Sequence, residues 1–593
     1  MQTSFSYLIN AIQLHTIAFA ALTFIFGGFS VVLGQETSPS PQPQVVAPRK
    51  AVTDFEATRR PLPDMSRVGI DSSQQHPLSL RDAIAMALEN NKDIEVAREN
   101  VRIAEFDLLG ARGTYDPKLT ASSFYERIEN PISSFLSGGS NGSTVQNDYT
   151  GSLRLEGQSP KLGGNYRLDF SSVRLTTNNQ FTALNPQYPT ALTFTYTQPL
   201  LRGLRFDNGR RQVEIAKKNL SLTDAQFRQK AIETIANVQR GYWDLVFALR
   251  SVQIHQDAVR VAKTQLEHNR RLVQEGQLAP IDIVAAEAQI TTFEQNVFSA
   301  LEEVSKSENK LKNMIVQGAR SPLWSFPLVP TDDVDLIAPP ITLPDALKTA
   351  IENRPELQQS NVLREINEID QRFYKDQKKP AVDLVGTYGV VGLAGTFGGG
   401  TNPFTASSIQ LREAVNQLLE DSGRDRLPEL PAQTVSPDLI GGFGQSLNNL
   451  TGNRFSNFRV GVQVSLPLRN RTAEAQYGKS LVEKERIATQ REQLEQTITV
   501  EVRDALQAMR SAEARLQAAA ATRAANEQQL TSEQRKLDAG QSTTFLVLER
   551  QTALTAARGA ELKAQTDLNK AIADLQEATG NALNAHSIVV RVK

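Results

Sequence analysis

Apolar residues along this chain recur in two rhythms, and the switches between them divide it into elements. From about Asn208 to Ile315 the steps alternate between three and four: Ile235, Val238, Tyr242, Leu245, Leu249 and Val252. After a break the same rhythm returns at Ile290, Phe293, Val297, Ala300, Val304, Leu311 and Met314. This is the a/d seam of a coiled coil, so the stretch is predicted to be a long helical hairpin. The break reads Glu275-Gly276-Gln277-Leu278-Ala279-Pro280-Ile281-Asp282. Gly276 suits the left-handed residue just past a helix end, and Pro280 suits a first helical turn.

A second hairpin is predicted between about Arg469 and Ala578. Leu537-Asp538-Ala539-Gly540-Gln541 repeats the first tip at an offset of 264 residues. The shifted seam falls on Val502, Leu506, Met509 and Leu516, and its return arm on Leu554, Ala557, Leu568 and Leu575. Upstream, the phrase from Leu78 to Asn91 comes back from Ile341 to Arg354, offset by 263. Ser79 and Thr342 suit the N-caps of short helices. A second helix follows each, at about 92–113 and 355–378, and each stops at a proline, Pro117 or Pro380.

Beyond each proline the period falls to two, as in a strand. Leu119, Ala121, Ser123 and Tyr125 alternate with polar neighbours, as do Val382, Leu384, Gly386 and Tyr388. Return strands at 191–198 and 456–466 run into Pro199 and Pro467 and then into the long helices. Pro117, Pro199, Pro380 and Pro467 therefore mark four strand–helix junctions, where proline is best tolerated. Two further alternating runs, 149–156 and 165–173, lie only in the first copy. They read either as an extra hairpin, giving six strands instead of four, or as a decorated surface loop.

The resulting order is a segment 1–34, a Pro-rich leader 35–76, a first repeat 77–317 with strands 118–127, 149–156, 165–173 and 191–198, and an extended linker 318–340. A second repeat, 341–580, holds strands 381–390 and 456–466 and a loop insertion 392–454, and a tail 581–593 follows. Residues 16–33 carry no charge, which predicts a secretory signal peptide or, on the other reading, a membrane anchor. The long helices, at about 65 residues and 1.5 Å per residue, would be near 100 Å long. The helix before the strands and the last helix of each repeat together nearly equal one long helix. This predicts a cylinder walled alternately by continuous and spliced rods.

Composition narrows the chemistry. There are 64 basic and 65 acidic residues, so nothing marks a general nucleic-acid binder. The absence of cysteine excludes disulfides, thiolate sites and a cysteine-linked lipid. The five histidines, His15, His76, His255, His268 and His586, form no ligand-like cluster, and His255 and His268 read as surface residues. Catalysis and cofactors are not expected. Beyond residue 34 no run is apolar enough for a spanning helix, so a membrane role would need a closed β-barrel. Four or six strands are too few to close alone, which calls for oligomerisation.

The tandem repeat, the Leu-x-Asp-Ala-Ile/Leu phrase, Gln198-Pro199-Leu200-Leu201-Arg202-Gly203 and the tip from Gly276 to Asp282-Ile283-Val284 together resemble the TolC-like outer-membrane efflux and secretion channels. That resemblance covers about Leu78 to Gly580. It implies an α+β membrane protein in which a tandem-repeat, long α-helical coiled-coil barrel joins a transmembrane antiparallel β-barrel sector. A homotrimer closes both, with 12 strands in the outer membrane and 12 helices in the periplasm; the extra hairpin, if part of the wall, would depart from that pattern and make 18 strands. It implies a passive exporter in a tripartite efflux or type I secretion system. Its partners are a periplasmic adaptor, an inner-membrane pump or ABC transporter, and outer-membrane lipid. It also implies an entrance ring, for which Glu549 and Leu546 occupy the second-tip positions and Asp282 matches in the first. Gly276, Gln277, Gly540 and Gln541 are the adaptor-docking candidates. A different class, a coiled-coil spacer of the envelope without a pore, accounts for the helices but not for the paired strands.

Overall fold

The computed structural model describes residues 67–588 apart from 72–73, 135–137, 140–141, 335–336, 399–402 and 429–434. The signal segment and most of the leader lie outside the described residues. The chain begins with β1 (His76–Leu78), α1 (Leu80–Asn90) and α2 (Lys92–Arg112). It continues through β2 (Lys118–Pro131), β3 (Ser143–Gln158), β4 (Asn165–Thr177), β5 (Leu184–Gln187) and β6 (Thr190–Pro199). The first hairpin is α3 (Asn208–Gln274) and α4 (Ile281–Ile315). After β7 (Leu328–Pro330) the order resumes with α5 (Leu343–Asn353), α6 (Pro355–Gln377), β8 (Ala381–Gly392) and β9 (Gly395–Phe397). Then come α7 (Pro403–Asp421), α8 (Phe443–Thr451) and β10 (Phe455–Ser465). The second hairpin is α9 (Arg471–Asp538) and α10 (Thr544–Ala578), and α11 (Ala582–Ala585) follows. Within its described residues the 392–454 insertion, expected to be a loop, thus holds two α-helices, a short strand and a 3₁₀ turn.

The seam positions are where the helices bury surface. Ile235, Val238, Tyr242, Leu245 and Leu311 are fully buried in the first hairpin, and Val502, Met509 and Leu568 in the second. Each is an apolar side chain at coiled-coil spacing, packed in the hydrophobic core. The hairpins also pack side by side through polar ties. Arg240 reaches Asp574 and Glu577, Lys570 reaches Asp244 at 2.8 Å, and Gln239 reaches Gln576 at 3.1 Å. Burial pushes the Lys570 ammonium down, but Asp244 and Asp567 outweigh it and hold it above its ordinary value. His255 is half-buried rather than on the surface, and burial pushes its imidazole down.

Short helices splice onto the ends of the return arms. Asn90 and Asn91 donate their side-chain amides to the carbonyls of Ile315 and Met314, each at 3.2 Å. The last carbonyls of α4, which have no partner within their own helix, are thereby satisfied where α2 begins. In the second half Arg354 does the same for Glu577 and Ala578, at 3.4 and 3.3 Å, just before α6. Asn91 and Arg354 stand 263 residues apart, so two chemistries serve one joint.

The linker is more ordered than an extended band. It forms a short 3₁₀ turn, Pro322–Ser325, and β7, which pairs in parallel with β1. Asp332, which reads as a linker acid, accepts from the Tyr242 hydroxyl at 2.5 Å and from the Leu80 backbone N–H at 2.7 Å. The strap is thus pinned to the core of α3. Among the described residues no helix is long and apolar enough to cross a membrane.

Candidate channel wall and entrance

Six strands form the continuous antiparallel path β10-β8-β6-β4-β3-β2 of an eight-stranded sheet, in which β5 pairs with β4 and β9 with β5. Reading across its register, one row is Leu119, Leu155, Leu168, Phe194, Tyr388 and Phe458. The next row, one position along, is Lys118, Glu156, Arg167, Thr195, Thr387 and Arg459. Successive positions point to opposite faces, so along these two rows one face is apolar from edge to edge of the sheet and the other is polar. The apolar face is not covered. Phe458 is 76%, Leu119 69% and Val460 59% exposed. A contiguous apolar sheet face of this size is a liability in water and an asset in lipid.

The sheet meets the helices at the four prolines. Pro117 and Pro380 stand immediately before β2 and β8, Pro199 closes β6, and Pro467 follows β10 by two residues. At one junction Gly203 donates its N–H to Asp376 of α6 at 2.7 Å, while Asp207 caps α3 by accepting from the Arg210 backbone N–H at 2.8 Å. Arg210 in turn donates to the carbonyls of Leu204 and Arg205. Sheet-side and helix-side backbone are held in one network.

At the far end of the hairpins the two tips share one capping geometry. Gly276 and Gly540 have φ of +75° and +72°. Their N–H groups donate to Val273 and Leu537, and those of Gln277 and Gln541 to Leu272 and Lys536. This is the Schellman arrangement, which satisfies two orphan carbonyls and favours glycine. A Cβ at either glycine would meet nothing within 4 Å, so only the backbone angle opposes substitution. Gly276→Val or Gly540→Val is expected to cost about 1–2 kcal/mol locally and to loosen the tip. Faster amide exchange at Gln277 or Gln541, with the seam unchanged, would register it; unaltered exchange would contradict the assignment.

The tips are tied to each other. Asp282, on the first turn of α4, accepts from the Thr544 hydroxyl of α10 at 2.5 Å. One further tie joins equivalent positions, Gln289 to Thr552 at 3.1 Å. His268 lies 3.6 Å from Asp538. Within the second tip the Ser542 hydroxyl and the Lys536 ammonium hold the Glu533 carboxyl below its usual range. Glu549 is exposed on the second turn of α10, and Leu546 is half-buried on the first. Asp282 is therefore engaged with its neighbouring hairpin, whereas Glu549 is exposed. The Asp282–Thr544 tie is absent from any motif. Its one trace in the sequence is that the two residues sit 262 apart, close to the repeat offset.

The family pattern described as outer membrane efflux protein matches residues 160–316 and 434–581, more than half of the chain. The chain belongs to the outer membrane efflux protein family. Solved structures agree on the fold. A membrane protein from Pseudomonas aeruginosa is 16% identical with a TM-score of 0.57, covering 84% of this chain and 90% of that one. The CmeC outer membrane channel of Campylobacter jejuni gives 15%, 0.55, 85% and 86%. The MtrE outer membrane channel of Neisseria gonorrhoeae, solved in its open state, gives 17%, 0.54, 85% and 89%. No curated protein matches the chain. For a member of this family, the exposed apolar sheet face and the tied tips are the two features that need a functional account.

Proposed function

We propose that this efflux-family protein is a passive outer-membrane channel, a homotrimer whose sheets close a barrel in lipid and whose hairpins wall a periplasmic tunnel. The carrying observation is the six-strand apolar row set against its polar neighbour: a wall with lipid on one side and water on the other has this pattern. Both outer edges, of β2 and β10, bear unsatisfied backbone groups, and in lipid such edges must pair. The sheet runs up and down without exception, so β10 meets the next copy's β2 in antiparallel sense.

In this reading the hairpin tips converge at the entrance, where an adaptor docks over Gly276, Gln277, Gly540 and Gln541 and an inner-membrane pump or ABC transporter supplies energy. The tunnel has no catalytic role; transport through it is diffusive. The tie between Asp282 and Thr544 holds the first and second tips together. A hydrogen bond to a charged group contributes about 1.5–3 kcal/mol, enough to bias a closed entrance. Thr544→Val in planar bilayers is expected to raise mean conductance relative to the parent, with Asp282→Asn acting in the same direction. A parent protein that makes no conducting events would reject the channel; equal conductance of parent and variants would reject the tie as a gate.

Three copies of Glu549 would stand around the axis as a carboxylate ring, with Leu546 one turn nearer the tip. A ring of one sign concentrates counter-ions on the axis and favours cations. Glu549→Gln should move the reversal potential in a salt gradient toward zero. An unmoved reversal potential would assign Glu549 to an ordinary solvated face.

A further inference from the structure

The hairpin β3–β4 has no counterpart in the second half of the chain, where β8 and β10 pair directly. We infer that it is a structural segment of the barrel wall, so that three copies close an 18-stranded barrel with a wide, charge-lined exit. This rests on the trimeric channel reading above and extends it.

β3 pairs with β2 over 14 residues and with β4 over 13. β4 then pairs with β6 over eight. The hairpin lies between β2 and β6 and does not project from the sheet. Within the described residues β3 is the one strand that pairs with β2. A wall that left out the hairpin would therefore lose β2 as well, leaving β6, β8 and β10. Three strands per copy make an odd total, which cannot close with every pair antiparallel. Six per copy close evenly.

The chemistry agrees on both faces. On the apolar side the hairpin supplies Leu155 and Leu168 in line with Phe194 and Tyr388. A surface ornament in water has no need to continue that row. On the polar side it supplies a cross-strand network in which Asp169 accepts from Arg154 at 2.6 Å and from Arg167 at 2.8 Å. Repeated three times, this network would line the lumen at one level. With strands about 4.8 Å apart and tilted by about 40°, 18 strands enclose a ring about 36 Å across between backbones, against about 24 Å for 12. The exit would then hold open water, as barrels of 16–18 strands do, and size selection would fall to the tips.

The chain lacks cysteine, so single-cysteine variants report one position each. The trimer would be placed in vesicles with and without brominated lipid, carrying a fluorophore at Leu155→Cys, Leu168→Cys, Ser152→Cys or Ser171→Cys. Val462→Cys on β10 serves as the lipid-face reference. The expected result is that brominated lipid quenches Leu155→Cys and Leu168→Cys as strongly as it does the reference, since all three would face the apolar band. Aqueous iodide alone should quench Ser152→Cys and Ser171→Cys. If the reference is quenched and the two hairpin leucine positions are not, the wall inference is overturned while the channel stands. If the reference is not quenched either, the membrane reading falls and takes this one with it. Counting strands in an electron-microscopy map of the unmodified trimer tests the same point without substitutions: 18 supports it and 12 overturns it.

Discussion

Glu308→Gln is expected to destabilise the upper end of the first hairpin by about 3–5 kcal/mol, the cost of stranding one charge of a buried pair. Glu308 and Lys312 sit one turn apart on α4, at 2.6 Å, with side chains 1% and 0% exposed. Glu308 also pairs with Arg67 and accepts from the Leu328 backbone N–H at 3.3 Å. Lys312 donates to the Trp324 carbonyl at 3.0 Å. The pair is therefore the peg on which the inter-repeat strap hangs. With glutamine at 308 the buried Lys312 ammonium loses its counter-ion. Replacing both by apolar residues, Glu308→Leu with Lys312→Met, should recover part of the loss: an apolar pair avoids the desolvation penalty, but Arg67, the Leu328 N–H and the Trp324 carbonyl lose their partners. The chain has two tryptophans, so Trp324 emission in a Trp243→Phe background reports strap release directly. If the single and double variants unfold at the same denaturant concentration, the peg assignment is wrong.

Val460→Arg should block stable insertion into lipid vesicles, whereas Gly461→Arg, one position along, should insert normally. Val460 lies mid-strand in β10 on the exposed apolar face, and Gly461 faces the polar side, where a Cβ would meet nothing within 4 Å. An arginine on the lipid face near the bilayer midplane costs about 2–4 kcal/mol per copy, and a homotrimer would meet that cost three times. A guanidinium in an aqueous lumen costs little and should change conductance instead. This contrast also separates the channel from an envelope spacer, because a sheet surrounded by water would accept arginine at either site. Equal insertion of the two variants would therefore count against a membrane-spanning sheet.

The hairpins were legible from the sequence because each seam position acts locally. A residue three or four places away on the same helix is its neighbour, so periodicity alone reveals the buried stripe. The four prolines and the two tip glycines were legible for a similar reason: each restricts or frees its own backbone angle wherever it stands. Strand alternation is weaker, since an apolar residue every second place fits either a wall or a surface hairpin. That is why 149–156 and 165–173 stayed ambiguous until the register joined Leu155 to Leu119 on one side and to Leu168 on the other.

What lay beyond the sequence are the contacts between residues far apart in the chain. Asp332 under the Tyr242 hydroxyl, Arg354 on the end of α10, the Glu308–Lys312 peg and the Asp282–Thr544 tie all involve polar residues that read, one at a time, as solvated. Their roles depend on which surfaces the folded chain brings together, and a polar side chain carries no period that would announce its partner. The sequence alone determined the helical hairpins and where helix gives way to strand, because these follow from spacing and backbone restriction. Only the tertiary structure decided that the inserted hairpin continues the sheet and that the tips are fastened to each other. Register and side-chain pairing are set by packing across hundreds of residues, not by neighbours in the chain.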